Sequence, residues 1–243
     1  MKIARLLITE TKKLKRSLTL LLVLGIPSMM FVMQFVLLLN AKHAPDWPMF
    51  VMGGSAVWAY FLLPMTATAL TALLAQIEHG PGAWSHLLAL PYPKWMVFAA
   101  KAILAIALMA LISVLLWFAL LSSGLLLGAI IPEKQLTGEV SALLLANLLT
   151  KMWFAGILVI AIQFTVAMAF RSFAVPVVVG IGGTFVALVA TSAKSGVYFP
   201  WLLPTNILAS DPSRALQAII TGLVGGLILF TISCIWLGRR DWN

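Results

Sequence analysis

The chain has 243 residues, of which 62% are hydrophobic and only 9% are charged, and its formal net charge is +9. Soluble domains carry about 25% charged residues, so this composition excludes a water-soluble globular protein and predicts a surface that faces lipid. The basic residues lie at the ends of apolar runs, which is typical of membrane flanks and not of a nucleic-acid-binding surface. Cys234 is the single cysteine, which excludes an internal disulfide.

Residues 1–17 have the pattern of a basic amphipathic helix. Ile3, Leu6, Leu7 and Leu14 can share one apolar side, and lysines and arginines occupy the rest of the surface. Such a helix is suited to lie along the inner headgroups of a membrane. A simple positive anchor that sets the topology explains the charges equally well, and the two roles are compatible.

Six apolar runs follow, each close to the roughly 20 residues that one membrane crossing requires. The predicted spans are 18–39, 50–77, 96–121, 152–170, 173–191 and 216–237. The first run is too long for a cleaved signal peptide and is interpreted as a retained span. The sequence therefore predicts an all-α integral membrane protein, with residues 1–243 forming a single transmembrane domain.

The start of the fourth span is open, because Ser141–Leu149 before it is also apolar. Residues Glu139–Lys151 fit either an extension of that helix or a separate helix on the membrane surface. The orientation follows from the basic residues: with both termini inside, eleven of them, including Lys101, lie on the cytoplasmic side and five lie outside. The positive-inside rule therefore predicts that both termini are cytoplasmic.

The same orientation places the polar break Glu78–Lys94, EHGPGAWSHLLALPYPK, in the cytoplasm. Its glycines and prolines exclude it from a membrane span, yet Trp84–Leu90 has the pattern of a short amphipathic helix. Such a loop allows a membrane subunit to contact a soluble partner. Glu78, His79 and His86 are its metal-competent residues, but the Gly-Pro-Gly stretch between the histidines interrupts the helix, so no metal site is predicted.

The external segment 193–214, AKSGVYFPWLLPTNILASDPSR, is too long for a tight turn and is rich in proline and aromatic residues. Its aromatic side chains are expected as anchors at headgroup depth. The alternative is that this apolar segment re-enters the membrane and closes a pathway, with Phe199, Pro200 and Trp201 as an extracellular gate.

Ionisable residues are nearly absent from the predicted spans, and every Asp and Glu lies at or beyond a span end. This disfavours ion-coupled transporters and membrane-embedded hydrolases or transferases, which need titratable groups near the substrate. No phosphate-binding loop or catalytic motif is present either, so an ATPase on the cytoplasmic face is the expected energy source. The buried polar residues are expected to hold helices together; they are Gln34, Ser55, Thr66, Thr68, Thr71, Ser113 and Gln163.

The layout resembles the type-2 ABC export permeases. The resemblance rests on the basic N-terminal helix, the six spans and a first cytoplasmic loop that reads E-H-G-P-G-A-W-S-H-L-L-A-L-P-Y-P-K from Glu78 to Lys94. The ending G-R-R-D at 238–241 is similar to that of the family, and the external Y-F-P-W segment is similar to its lantibiotic-immunity branch.

The resemblance implies a dimer, formed with a second copy or a sister permease, in which each half docks a separate ATPase subunit that binds ATP and Mg²⁺. Trp84–Leu90 would be the coupling helix, with Trp84, Leu87 and Leu88 as exposed apolar contacts; anchoring of Trp84 to the headgroups is the alternative. The residues assigned to coupling are Glu78, Gly82, Trp84, Leu87, Leu88 and Pro91.

The substrate path is then expected at the dimer interface, along the second and fifth spans. Ser55, Trp58 and Tyr60 lie there, with small residues that allow close approach of helices; these are Gly53, Gly54, Gly180, Gly182 and Gly183. A path without charge suits an apolar or amphipathic cargo, such as a peptide, a drug or a lipid-like compound.

The leading hypothesis is a permease of a bacterial cytoplasmic membrane that contacts lipid and an ATPase, binds no nucleic acid or cofactor, and has no enzymatic activity of its own. A lipid-modifying membrane enzyme that uses Glu78, His79 and His86 is the first alternative. A scaffold subunit without a pathway is the second.

Overall fold

The computed structural model describes residues 2–15, 17–80, 82–88, 91–191 and 194–240, and within these ranges the fold is all-α without β-strands. Its helices are α1 (Lys2–Leu14), α2 (Leu18–Asn40), α3 (Trp47–Val57), α4 (Leu63–His79), α5 (Trp84–Leu88), α6 (Lys94–Ile130), α7 (Ala142–Ala169), α8 (Ala174–Ala190) and α9 (Pro212–Arg239). A π-helical turn, Trp58–Leu62, joins α3 to α4. Short 3₁₀ turns cover Pro132–Lys134, Lys194–Tyr198, Pro200–Leu202 and Thr205–Leu208.

Among the described residues, five helical segments are long and apolar enough to cross a membrane: Leu18–Asn40, Trp47–His79, Lys94–Ile130, Ala142–Ala169 and Pro212–Arg239. The sixth predicted span corresponds to α9, whereas the fifth corresponds to α8, which has 17 residues. A helix of that length measures about 25 Å and is shorter than the roughly 30 Å hydrocarbon core of a bilayer.

Helix α7 and the segment α3–α4 form the centre of the bundle. Helix α7 packs against α4, α6, α8 and α9, while α2 lies at the periphery against α6. Because α7 begins at Ala142 and continues to Ala169 without a break, residues 142–151 belong to the same helix as the predicted fourth span. They do not form a separate helix.

Helix α1 lies against α6. Its buried residues include Leu6 and Glu10, which are one turn apart on the same side, while Arg5 and Lys12 are exposed. The predicted amphipathic helix is therefore present, but part of its inward side contacts protein, and that side contains an acidic residue among the apolar ones.

The connections between α2 and α3 and between α6 and α7 tie one end of the bundle together. The amide of Trp47 donates to the Thr137 carbonyl over 3.1 Å, and the amide of Thr137 donates to the Pro45 carbonyl over 3.3 Å. The Lys134 ammonium also donates to the Ala41 carbonyl. Asp46 caps α3 by accepting from the Met49 amide over 2.9 Å.

All seven polar residues that were expected between the helices are buried. Several of their hydroxyl groups, however, donate to a carbonyl one turn earlier in the same helix: Thr68 to Pro64, Thr71 to Ala67 and Ser113 to Met109. These side chains fill space between helices but satisfy their hydrogen bonds locally. The pair Thr165–Ser233, with oxygens 2.6 Å apart, does link α7 to α9.

Candidate functional site

The site is built where α4 ends and the chain turns into α5. Gly82 has a φ of +65°, in the left-handed region that glycine adopts without strain. The Ala83 amide donates to the Glu78 carbonyl over 2.9 Å, and the Gly82 amide donates to the His79 carbonyl over 3.3 Å. These bonds close the end of α4 and direct the chain into α5. The left-handed backbone conformation at position 82 explains why a glycine occupies it.

Helix α5 covers Trp84–Leu88 of the predicted helix Trp84–Leu90, and residues 89 and 90 lie outside the described ranges. The Trp84 indole nitrogen Nε1 donates to His79 Nδ1 over 2.8 Å. Its ring stacks on Phe98 of α6, with centroids 5.2 Å apart and planes at 23°. Trp84 therefore fills the space between the end of α4 and the start of α6.

The expected exposure of Trp84 is wrong, because only 4% of the residue is accessible. It is surrounded by protein, so neither apolar contact with a partner nor anchoring in the headgroups describes its surroundings. Leu87 and Leu88 are half-buried and Pro91 is exposed. The remaining open apolar surface of α5 thus comes from the two leucines, while Trp84 attaches the helix to the bundle.

Four charged side chains lie beside this tryptophan and form a charge ring of Glu10, Lys13, Glu78 and Lys101. Lys13 Nζ lies 2.6 Å from Glu10 Oε1 and 2.8 Å from Glu78 Oε1. Lys101 Nζ lies 2.6 Å from the second oxygen, Oε2, of each carboxylate. Each lysine therefore bridges both acids, and the formal charges of the ring cancel.

Three members of the ring are closed to solvent and one is partly open: Glu10 and Glu78 are each 2% exposed and Lys101 is 0% exposed, whereas the Lys13 side chain is 27% exposed. Burial by itself raises the pKa of the Glu10 carboxyl, but the charges and hydrogen bonds of Lys101 and Lys13 outweigh it and hold that pKa below its ordinary value. Burial lowers the pKa of Lys13, yet its bonds to Glu10 and Glu78 raise the pKa overall. Glu10 and Lys13 are thus held in their charged forms.

The charge ring corrects the expectation that Lys101 lies on the cytoplasmic surface. Lys101 lies inside the predicted span 96–121 and was assigned to the cytoplasmic surface, but its ammonium is buried between two carboxylates. The signal in the sequence was a lone lysine within an apolar run and a lone acid on the apolar side of a basic helix. A buried charge of each sign suggests that the two are paired.

The chemistry of the site does not support the enzyme alternative. Glu78 is held by two lysines, and the Nδ1 atom of His79 accepts from Trp84. The side chain of His86 lies outside the described residues. Where the structure describes the chain, no group of three or more His, Cys, Asp or Glu side chains is arranged to hold a metal.

Comparison with protein families finds a match over residues 6–187, more than half of the chain, to the model described as ABC-2 family transporter protein. The chain belongs to this family. As an ABC-2 permease, it is a multi-pass membrane protein and the membrane subunit of a transporter. Comparison with curated proteins gives no match.

The range that matches the ABC-2 family begins within α1 and ends within α8. It includes the charge ring and α5. The Y-F-P-W segment and the G-R-R-D ending lie beyond it, and the match does not confirm the lantibiotic-immunity branch. Asp241 of that ending is outside the described residues, whereas Arg240 donates from Nη1 to the Ala169 carbonyl at the end of α7 over 2.7 Å.

The 3₁₀ turns that precede α9 in this ABC-2 permease pack into the bundle. Trp201 is buried, stacks on Phe199 with centroids 5.6 Å apart, and lies where a Cβ atom on Gly183 of α8 would approach its ring to 2.3 Å. Anchoring at headgroup depth therefore does not describe Trp201, although Tyr198 is exposed. Pro200 is half-buried and begins the 3₁₀ turn that carries Trp201.

Ser55 and Trp58 are fully buried within the single chain, and their place on a substrate path stays a prediction. Tyr60 is half-buried and lines a cavity of about 180 Å³, together with Thr191, Thr205, Asn206 and Arg214. The glycines expected to allow close approach divide into two groups. Gly54 and Gly180 are in tight contact with neighbouring side chains, as Gly183 is, whereas Gly53 and Gly182 have nothing within 4 Å of an added Cβ.

Proposed function

We propose that the chain is the membrane-spanning permease subunit of an ATP-driven exporter in a bacterial cytoplasmic membrane. A separate ATPase subunit binds ATP and Mg²⁺, docks on α5 and drives alternating access. The observation that carries this proposal is the attachment of α5: Trp84 is hydrogen-bonded to the end of α4 and stacked on the start of α6. A force applied to α5 therefore reaches two membrane helices directly.

In this mechanism Leu87, Leu88 and Pro91 meet the ATPase, and Gly82 supplies the turn that presents them. Closure of two ATPase subunits displaces α5, and because Trp84 is enclosed by protein, the ends of α4 and α6 move with it as rigid bodies. The permease works as a dimer, with a second copy or a sister permease. Both termini face the cytoplasm, and α8 crosses the membrane as the fifth of six spans.

The cargo is apolar or amphipathic, such as a peptide, a drug or a lipid-like compound, taken from the cytoplasm or the inner leaflet. The scarcity of charged residues, which make up 9% of the chain, supports this class. Among the described residues, Lys101 is the one fully buried lysine. Its charge is neutralised within the charge ring, so it offers no free charge to an ionic cargo. Phe199, Pro200 and Trp201 form the extracellular gate.

The test is purification of the tagged chain from its own host in mild detergent, followed by a search for a co-purifying soluble ATPase. The ATPase is expected with the wild-type chain and is expected to be lost with Trp84→Ala/Leu88→Ala, while the variant stays inserted in the membrane. The double change is also expected to uncouple ATP hydrolysis from transport. A wild-type chain that purifies without an ATPase contradicts the proposal.

Pro200→Ala/Trp201→Ala is the matched control, because it removes one tryptophan and one further apolar side chain from the opposite end of the bundle. This control is expected to alter export and to retain the ATPase. Loss of the ATPase from the control would mean that the external segment faces the cytoplasm and that the topology is inverted.

A further inference from the structure

The charge ring joins three helices, α1, α4 and α6, that are far apart in the sequence. Glu10 and Lys13 belong to α1, Glu78 to the last turns of α4 and Lys101 to α6. Because each carboxylate uses one oxygen for each lysine, no member can move away without breaking two ion pairs. The ring is therefore a closed joint and not a chain of independent pairs.

Lys101 has a second neighbour that places α5 in the same joint. Its Nζ atom lies 6.0 Å from the centre of the Trp84 ring, at a distance where an ammonium is attracted to the face of an aromatic system. Trp84 stacks on Phe98, one turn before Lys101 on α6. One lysine thus contacts the acid of α1, the acid that precedes the turn into α5 and the aromatic residue that begins α5.

The burial of the ring makes its integrity sensitive to single changes. When one partner of a buried pair is removed, the other charge stays buried without compensation, which destabilises a protein far more than loss of a surface pair. Removal of Lys101 leaves two carboxylates and one ammonium. Removal of Glu10 and Lys101 together leaves the neutral pair Lys13–Glu78, whose atoms are 2.8 Å apart.

We propose that Lys101 is a positioning residue that fixes α1 and α5 as one rigid unit on α6, so that α1 moves whenever α5 moves. This deepens the proposed function, on which its role in transport rests, because it adds the N-terminal helix to the parts that an ATPase displaces. The joint itself exists in the chain without any partner and is tested there.

The experiment is hydrogen–deuterium exchange of the full-length chain, purified alone in detergent. In Lys101→Met, the backbone amides of both α1 and α5 are expected to exchange about tenfold faster or more, because both elements lose the same anchor. Amides in the middle of α7 are expected to keep their wild-type rates. Faster exchange in only one of the two helices, or in neither, overturns the proposal.

The double variant Glu10→Gln/Lys101→Met tests whether the ring links the helices or only balances their charges. This variant has no uncompensated charge, so its thermal stability is expected to recover towards wild type. Exchange in α1 and α5 is expected to stay fast, because Lys101 no longer joins them to α6 and the remaining Lys13–Glu78 pair reaches only α4. If wild-type protection returns with charge neutrality, the ring only balances charge and the proposal fails. Lys12→Met removes an exposed charge from the same helix and is expected to change neither rate.

The result does not depend on the proposed function. Exchange is measured without an ATPase, so a failed co-purification leaves the rigid unit standing, and unchanged exchange rates leave the ATPase partner standing. The two failures are therefore distinguishable.

Discussion

Trp84 illustrates what a sequence pattern conveys about a single residue and what it does not. A tryptophan between Gly82 and Pro91 in a polar loop indicates an exposed anchor, and the short helix that begins with it is present. Its burial depends on Phe98, which lies on the far side of the loop and contacts it only after α4 and α6 have packed. A contact of that kind leaves no local signal in the sequence.

Glu10 and Lys101 were equally hard to interpret one at a time. Each carries a charge in an apolar setting, and each therefore requires an opposite charge nearby, but they are separated by 91 positions and the sequence does not state the pairing. What could be predicted was that both need partners. Which partner each finds is decided by the packing of α1 on α6.

The charge ring predicts a loss of stability at both extremes of pH, through Glu10 and Lys13. The pKa of Glu10 is lowered from 4.5, so its contribution to stability is complete above that value and is lost as pH falls through the folded-state pKa. The pKa of Lys13 is raised from 10.5, so its contribution is complete below that value and is lost as pH rises through the folded-state pKa. Thermal unfolding followed by tryptophan fluorescence is expected to show stability falling as pH drops below the first value and as it rises above the second.

Glu10→Gln tests the acid side of this profile. At neutral pH the variant is expected to lose about 3–5 kcal/mol, because a buried charge is left without its partner. The loss of stability at low pH is expected to be smaller than in wild type, since one titrating carboxyl has been removed. If the variant loses as much stability at low pH as the wild type does, Glu10 does not determine that loss.

Helices α7 and α9 are in contact through their backbones at two glycines of α9. A Cβ atom on Gly222 would lie 2.3 Å from the Ala155 carbonyl oxygen, and one on Gly226 would lie 2.7 Å from the Ile157 carbonyl carbon. These atoms belong to the backbone and cannot rotate away. Small residues at such positions allow helices to pack closely in a membrane.

Gly222→Ala is therefore expected to push α9 away from α7 and to destabilise the chain by about 1–3 kcal/mol, the usual cost of overpacking. Gly225→Ala is the matched control on the same helix, because its Cβ would meet Leu158 at an ordinary 3.6 Å. The control is expected to be neutral or slightly stabilising, since alanine favours a helix more than glycine does. Equal melting temperatures for the two variants in detergent would contradict the tight α7–α9 contact.

Helix α2 shows why the packed side of a membrane helix is hard to predict. Its buried residues form a single stripe with a spacing of three or four, and the stripe contains polar residues; they are Thr19, Val23, Pro27, Met30, Gln34 and Leu38. The exposed residues include Leu21 and Val32, which are as apolar as the core. Because lipid and protein interior are both apolar, hydrophobic periodicity is lost, although Thr19 and Gln34 lie on the inward side.

For the molecule as a whole, composition and the length of the apolar runs were sufficient to predict an all-α membrane protein. The family match agrees with the resemblance seen in the sequence. The length of the apolar run alone was not sufficient to assign α8 as a membrane span. Its buried residues are Pro176, Gly180, Thr184 and Ala187, and its other sides expose large apolar residues such as Phe185 and Val189. This surface fits lipid or a second subunit, although the helix is short.

The six-span topology is tested by cysteine labelling in a Cys234→Ala background with a membrane-impermeant maleimide. Ser172 precedes α8 and Tyr198 follows it, and both are exposed. If α8 crosses the membrane, Tyr198→Cys is expected to react in intact cells and Ser172→Cys only after permeabilisation. Labelling of both from the same side would leave five crossings and would place the two termini on opposite sides.

The π-helical turn Trp58–Leu62 changes the direction in which the side chains of the second span point. Its closing bond runs from the Leu63 amide to the Trp58 carbonyl, five residues back, so the turn holds one residue more than an α-helical turn. Each residue of an α-helix advances the side chains by about 100°, and the extra residue offsets α4 from α3 by about that angle. The α3 part of the span can therefore face its own neighbours, while the α4 part still presents Glu78 to Lys101.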